Sequence, residues 1–313
     1  MSSGVVVFGY HNLGVTGLKI LLKHGIKVHT VFTHRDKVDE NTWFDSVSEF
    51  CLKNNINYYY GEEYNDDEIT KIISKYNVSV IFSFYYRNII SNKILNIPKH
   101  GSINLHGSML PKYRGRAPVN WQLINGETKG GVTLHCMTDK PDAGDIIDQE
   151  PVVITKKDNP LTLYSKLNIK AKLILKRNID KIVIGKYERF SQNHLIATYY
   201  GRRKPKDGLI DWSWDSKRIL NLIRGVTKPY PGAFTYYLEK KLIVWEASKV
   251  KNSKVALGKN LGAFCNYRGR LYVKTSESLI RIDKFNYNNI DYDTLNLFDH
   301  KFQNGFFKNT KKI

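Results

Sequence analysis

Through its first half the chain alternates short runs of β-branched and aromatic residues with amphipathic stretches, a pattern suited to a parallel sheet wound by helices. GVVVFG, KVHTVFTH, INYYYG and VSVIFSFYY read as strands, with TGLKILLKHG, SVSEFCLKNN and DDEITKIISKY as the helices between them. GSINLHG follows as another strand and runs into SMLPKYRGRAP, which holds too much proline, glycine and charge to continue any element. In such a sheet ligands sit beyond the carboxyl ends of the strands, so this stretch reads as an active-site loop. APVNWQLINGE then reads as a helix, GGVTLHCM as a strand, and PLTLYSKLNIKAKLILKRNIDKIVIG as a long amphipathic helix.

From GRRKPKDGLIDW onward the texture changes. After one helical stretch, KRILNLIRGV, the pattern becomes PGAFTYYL, KLIVWEASKV, GAFCNYRG, RLYVKTS and SLIRIDKFN, short strands at regular spacing. The expected fold is α/β: a Rossmann-like parallel-sheet domain over residues 1–200, then a small, mainly antiparallel, barrel-like domain of OB type over 201–313.

Lys and Arg number 49 against 29 Asp and Glu, a net charge of +20. That balance would suit nucleic acid, but it equally concentrates diphosphates and carboxylates, and the lysines are spread along the chain rather than gathered in an arm. Charge alone therefore does not select a nucleic-acid partner. The opening MSSGVVVFGYHNLG has no basic region leading into a long apolar run, and no uncharged stretch approaches a bilayer span, so a cytoplasmic protein without a membrane segment is expected. Three scattered cysteines, Cys51, Cys136 and Cys265, form no CxxC pair, which fits a reducing compartment and suggests no metal site. Gly9, Gly14 and Gly17 lack the GxGxxG spacing of a dinucleotide site and read as serving a tight strand-to-helix turn.

Alternate residues of a strand share a face, so Asn104 and His106 of SINLHG point one way and Leu105 the other. Asp142 follows the next strand in DKPDAGD and is placed to approach the same end. An amide, an imidazole and a carboxylate there form a candidate general-base site. His135, alone on the apolar GGVTLHCM strand, reads as a core residue.

These segments carry a resemblance. NLHGSMLPKYRGRAPVNWQLINGETKGGVTLHCM followed by DAGD, together with VVVFGYHNLG, FTHRDK, FSFYYRNII, YYGRRKPKDGLIDW and YPGAFTYY, resembles the formyltetrahydrofolate-dependent formyltransferases. The similarity covers most of the chain and is weakest at its end. Within that superfamily it resembles the sugar N-formyltransferases, in particular the formyltransferase domain of bifunctional polymyxin-resistance enzymes. The resemblance implies an enzyme that takes a formyl group from 10-formyltetrahydrofolate and needs no metal. It implies a catalytic trio of Asn104, His106 and Asp142, in which His106 accepts the amine proton, Asn104 donates to the developing oxyanion and Asp142 orients the imidazole. It places Phe84, Tyr85, Tyr86, Arg87 and the second acidic residue, Asp145, on the folate side. Ser108, Lys112, Tyr113, Arg114, Arg116 and Arg202 are expected to meet the anionic substrate or the folate tail.

The acceptor is a separate question. Methionyl-tRNA formyltransferases resemble the same catalytic segment but carry a long basic insertion after the second strand, where this chain has the short, mixed FTHRDKVDENTWFDS, and they write another residue where Gly107 follows His106. Both features favour a nucleotide-linked 4-amino sugar destined for a surface polysaccharide: UDP-4-amino-4-deoxy-arabinose, or UDP- or dTDP-4-amino-4,6-dideoxyglucose. Formylation of methionyl-tRNA is the alternative, and a non-catalytic folate- or nucleotide-binding module a second. An apolar segment such as KLIVWEA suits a homodimer contact or a buried barrel strand equally.

Overall fold

The structure, a computed structural model, describes residues 3–36, 43–250, 255, 257–293 and 302–309; part of the FTHRDKVDENTWFDS loop, 37–42, lies outside the described residues. Two compact units are formed by Met1–Pro118, Lys129–Val153 and Tyr164–Gly201 on the one hand, and Val119–Thr128, Ile154–Leu163 and Arg202–Ile313 on the other.

In chain order the first half contains β1 (Gly4–Gly9), α1 (His11–Lys23), β2 (Val28–Thr33), α2 (Val47–Lys53), β3 (Tyr58–Tyr60), α3 (Asp66–Ile73), β4 (Val78–Phe84), α4 (Asn92–Leu95) and β5 (Ser102–His106). It continues through β6 (Arg114–Gly115), α5 (Pro118–Ile124), β7 (Lys129–Cys136), β8 (Ile146–Val153), α6 (Pro160–Val183) and β9 (Tyr199–Tyr200). α3 begins where its sequence says it should: the Asn65 side chain accepts from the Asp67 and Glu68 amides while Glu68 reaches back to the Asn65 N–H, a reciprocal cap.

The main sheet has the order β3-β2-β1-β4-β5-β7-β8. β1 and β4 are buried along their whole length, as strands covered on both faces must be. The sheet is parallel through β5, but β7 pairs antiparallel with β5 and β8 antiparallel with β7. The expected parallel arrangement thus stops at β5, and β8 must turn back beside β7 because the short link between them is too brief for a parallel crossover. β8 went unread in the sequence since its centre, DQE, breaks the apolar run.

The glycines after β1 correct a second expectation. Only Gly9 lies at the turn; Gly14 and Gly17 are inside α1 and buried. A Cβ on Gly17 would stand 2.3 Å from the Phe84 ring, and one on Gly14 would stand 3.1 Å from the Gly9 backbone, so both let the helix approach the sheet.

The second unit holds α7 (Ser216–Val226) and the strands β10 (Ala233–Tyr237), β11 (Lys240–Lys249), β12 (Ala263–Tyr267), β13 (Arg270–Lys274), β14 (Leu279–Tyr287), β15 (Ile290–Asp293) and β16 (Asn304–Phe306). Its antiparallel path runs β10-β11-β14-β13-β12-β16. Tyr236 of β10 bridges Lys308, just beyond β16, with both backbone bonds made at 3.0 and 2.9 Å, so the sheet curls back on itself. Trp212, Ile219, Leu242, Phe264, Leu271, Ile282, Phe285 and Phe302 fill the interior.

Candidate active site

The carboxyl end of β5 gathers the polar residues expected of a catalytic centre. Strand alternation buries Leu105 and leaves Asn104 half-buried on the other face with His106. In the β5–β7 ladder Asn104 is paired with His135, so an imidazole from the neighbouring strand joins the cluster. Asp142 arrives from the link between β7 and β8. Its φ of 56° is a left-handed conformation that costs a non-glycine residue about 1–3 kcal/mol and persists only where surroundings enforce it.

Asp142 Oδ1 lies 3.4 Å from His106 Nδ1, 3.4 Å from His135 Nε2 and 3.3 Å from the Asn104 amide nitrogen, which donates to it. Its Oδ2 accepts from the Gly115 N–H at 2.8 Å. Burial pushes the carboxyl pKa up, but His106, His135 and the Gly115 N–H outweigh it and hold the group far below the ordinary carboxylate range. Asp142 is therefore a mostly enclosed carboxylate that stays ionised at neutral pH.

The hydrogen bonds also assign the rings. His106 Nε2 lies 2.8 Å from the Tyr113 carbonyl, so it carries a proton and donates, which leaves Nδ1 as the basic nitrogen of the neutral ring. His135 donates from Nδ1 to the Cys136 carbonyl at 2.8 Å, and its Nε2 stands 3.1 Å from Asn104 Nδ2 and 3.4 Å from Asp142 Oδ1. His135 is fully buried, as a core residue would be, and it also orients the Asn104 amide. The apolar texture of its strand concealed that second role; the signal was its register opposite Asn104.

The SMLPKYRGRAP loop splits into an inner and an outer set. Ser108 is fully buried and donates to the Lys112 carbonyl at 2.6 Å, and Tyr113 is buried with its ring stacked on Tyr200 at 4.9 Å. Arg114 is 1% exposed, and its guanidinium bonds to Gln192, His194 and Tyr199. These three face protein, not a ligand, because the β6–β9 pairing folds the loop back on 198–200. Gly115 is obligatory there, with φ 95° and the Tyr200 carbonyl 2.4 Å from where a Cβ would be. Lys112 and Arg116 are exposed, and Arg202, also exposed, belongs to the second unit.

After β4 the residues divide in the same way. Phe84 is wholly buried beneath Gly17 and against Phe82, so it packs rather than meeting a ligand. Tyr85, at φ 58°, lays its hydroxyl where a Cβ on Gly107 would collide with it, directly beside the end of β5. Tyr86 is half-buried and stacks on His34, and burial pushes its phenol up to about 12. Arg87 is exposed over the Tyr10 ring at 4.4 Å, and its carbonyl accepts from Arg116 Nη2 at 2.7 Å, which holds the exposed Arg116 against the backbone after β4. Asp145 is half-buried, with its carbonyl bonded to the Cys136 N–H.

Among the described residues no group of three or more His, Cys, Asp or Glu is arranged to hold a metal, and no helix is long and apolar enough to cross a membrane.

Comparison with known proteins places this geometry. A family described as formyl transferase matches residues 5–179, and one described as formyl transferase, C-terminal domain, matches 202–290. The chain is 46% identical over 244 residues to the bifunctional polymyxin resistance protein ArnA of Wigglesworthia glossinidia brevipalpis; the match covers 78% of this chain but spans only 37% of that relative. Among solved structures, the N-formyltransferase from Helicobacter canadensis, in complex with folinic acid and dTDP-3-aminofucose, superposes with a TM-score of 0.69 at 25% identity, covering 90% of this chain and 99% of that one. WlaRD, a sugar 3N-formyl transferase solved with dTDP and 5-N-formyl-THF, gives 0.66 at 24% identity over 93% and 99% of the two chains, a likeness of fold alone.

Proposed function

This chain belongs to the formyl transferase family, and from that premise we propose that it moves a formyl group from 10-formyltetrahydrofolate to the amino group of a nucleotide-linked 4-amino sugar, with Asn104, His106 and Asp142 as the working groups. The observation that carries this reading is the convergence of the Asn104 and His106 side chains on Asp142 Oδ1 at the end of β5. All three lie within residues 1–200, which we take as the catalytic domain, leaving 201–313 as the accessory β domain.

The folate is a co-substrate, consumed as its formyl group leaves. Its flat ring and anionic tail suit a strand end that offers the Tyr85 ring and the exposed Arg87 and Arg116 side chains. The acceptor amine forms a bond to the formyl carbon, and the carbonyl electron pair moves onto oxygen. The Asn104 amide, its orientation set by His135, turns the N–H it gives to Asp142 toward that oxyanion, a role worth about 3 kcal/mol in comparable sites. His106 takes the ammonium proton at Nδ1, and the resulting imidazolium faces the Asp142 carboxylate 3.4 Å away. Collapse of the tetrahedral anion breaks the bond to the folate nitrogen, which recovers a proton.

A sugar acceptor is supported by the 46% identity to a polymyxin resistance protein, by the nucleotide-sugar complex of the Helicobacter relative and by the short loop after β2. The test is incubation with formyltetrahydrofolate and a panel of acceptors, followed by mass: UDP-4-amino-4-deoxy-arabinose, UDP- and dTDP-4-amino-4,6-dideoxyglucose, a 3-amino isomer and initiator methionyl-tRNA. A formyl increment on a 4-amino nucleotide sugar, absent with His106→Ala, is expected. Formylation of the tRNA alone overturns the acceptor, and binding of folate or nucleotide without transfer leaves a non-catalytic module.

A further inference from the structure

We propose that Arg114 and Gln192 form a buried brace that sets Asp142 against His106, so that both are positioning residues for formyl transfer. The proposal rests on the function given above and names a device that function does not require in advance. Gln192 is buried, and its amide nitrogen donates to the carbonyls of Asp142 at 2.9 Å and Gly144 at 2.6 Å, clamping the turn on which the catalytic carboxylate sits. Its Oε1 accepts from Arg114 Nε at 3.2 Å and Nη2 at 2.6 Å. The rest of the guanidinium is fixed by the Tyr199 hydroxyl and by His194 Nδ1 at 3.0 Å.

The backbone on either side of Arg114 grips the same pair. The Tyr113 carbonyl holds His106 Nε2 at 2.8 Å, and the Gly115 N–H holds Asp142 Oδ2 at 2.8 Å. One three-residue segment therefore fixes the imidazole and the carboxylate directly and the Asp142 turn through its central side chain. Chemistry selects an amide at position 192: it must accept from a guanidinium on one side and donate to two carbonyls on the other, which a carboxylate cannot do. A buried guanidinium is costly unless its donors are used, and here they are used on Gln192, His194 and Tyr199. Asp142 (φ 56°) and Tyr113 (φ 62°) both occupy backbone conformations that contacts of this kind must enforce.

The test compares Gln192→Ala, Gln192→Glu and Arg114→Lys with wild type, each alone and with Asp142→Asn. Gln192→Glu keeps an acceptor for Arg114 but sets a carboxylate oxygen against the Asp142 and Gly144 carbonyls in place of the donors, so it decides the matter should Gln192→Ala fail to fold. Expected is a fall in kcat of about 10²-fold, as for a small misplacement of a catalytic group, with KM for donor and acceptor unchanged. In the Asp142→Asn background the Gln192 substitutions should cost nothing further, because Gln192 acts through the Asp142 turn. Undiminished, additive losses in that background, or a lower melting temperature with wild-type kcat, overturn the brace. If wild type transfers no formyl group to any acceptor, the function fails instead. The brace is then judged by imidazole resonances: Gln192→Glu should move those of His106 and His135, and unmoved resonances overturn it.

Discussion

Asp142 Oδ1 lies equidistant, at 3.4 Å, from His106 Nδ1 and His135 Nε2, one carboxylate oxygen serving two imidazoles that reach it from neighbouring strands. Only one of those rings is free to act as a base. His135 is fully buried, with Nδ1 at the Cys136 carbonyl and Nε2 beside Asn104 and Asp142, whereas His106 presents Nδ1 to the carboxylate with Nε2 tied to a backbone carbonyl.

The division of labour predicts distinct kinetic defects. His106→Ala and Asp142→Ala should lower kcat by about 10²–10⁴-fold, the usual contribution of a positioned base. Asn104→Ala should lower kcat by about 10²–10³-fold with little change in KM, since the proposed bond to the oxyanion would mature only in the transition state. Steady-state kinetics on variants with a wild-type circular-dichroism spectrum check this, and near-normal turnover in His106→Ala would remove that residue from its role.

The depressed pKa of Asp142 makes a stability prediction as well. A carboxyl lowered in the folded state binds its proton more readily when the chain is unfolded. The stabilisation is therefore complete above the unfolded value of about 3.9 and is lost as pH falls below it. The melting-temperature gap between wild type and Asp142→Asn should hold steady from about pH 7 to 5 and shrink below about pH 4. A gap that stays constant through the acid range would show that the carboxylate is not held ionised by its neighbours.

Much of this site was legible before any coordinates. The N-x-H spacing at the end of β5 placed Asn104 and His106 on one face, and DAGD after the next strand supplied Asp142. Strand and helix texture gave the doubly wound half and the β-rich half, down to PGAFTYYL and KLIVWEASKV as β10 and β11. What local pattern could not show was direction and partnership across the chain. β7 and β8 run antiparallel because of the link between them, and Arg114 is buried because Gln192, far along the chain, receives it. A loop arginine reads as a ligand contact until the distant amide is known, and Phe84 reads as a folate contact until Gly17 is seen pressed against it.

Thiol chemistry offers a test of the sheet-side packing. Cys51 is wholly buried in α2, and burial pushes its pKa up to about 12. Since the thiolate is the reactive form, Cys51 should resist Ellman's reagent in the native protein and react fully in denaturant. Cys136 and Cys265 are also raised by burial but are only partly enclosed, so they should react slowly and first. Peptide mapping after partial labelling assigns the order, and early modification of Cys51 would contradict the packing of α2.

The approach of α1 to the sheet is a second packing claim, and it bears on the site through β4. Gly17 has the Phe84 ring 2.3 Å from its ideal Cβ position, and Phe84 is the last residue of the strand that leads into Tyr85 and Arg87. Both sides are fully buried, so an added methyl has nowhere to go without moving the ring or the helix. Alanine would normally favour a helix interior over glycine by about 1 kcal/mol. Here the overpacking cost of about 1–3 kcal/mol should outweigh that gain. Gly17→Ala is therefore expected to lower the midpoint of urea unfolding with an unchanged slope, and to raise KM for the formyl donor as Tyr85 and Arg87 shift. Stabilisation by Gly17→Ala would mean that helix propensity decides this position and that α1 does not depend on close contact with Phe84.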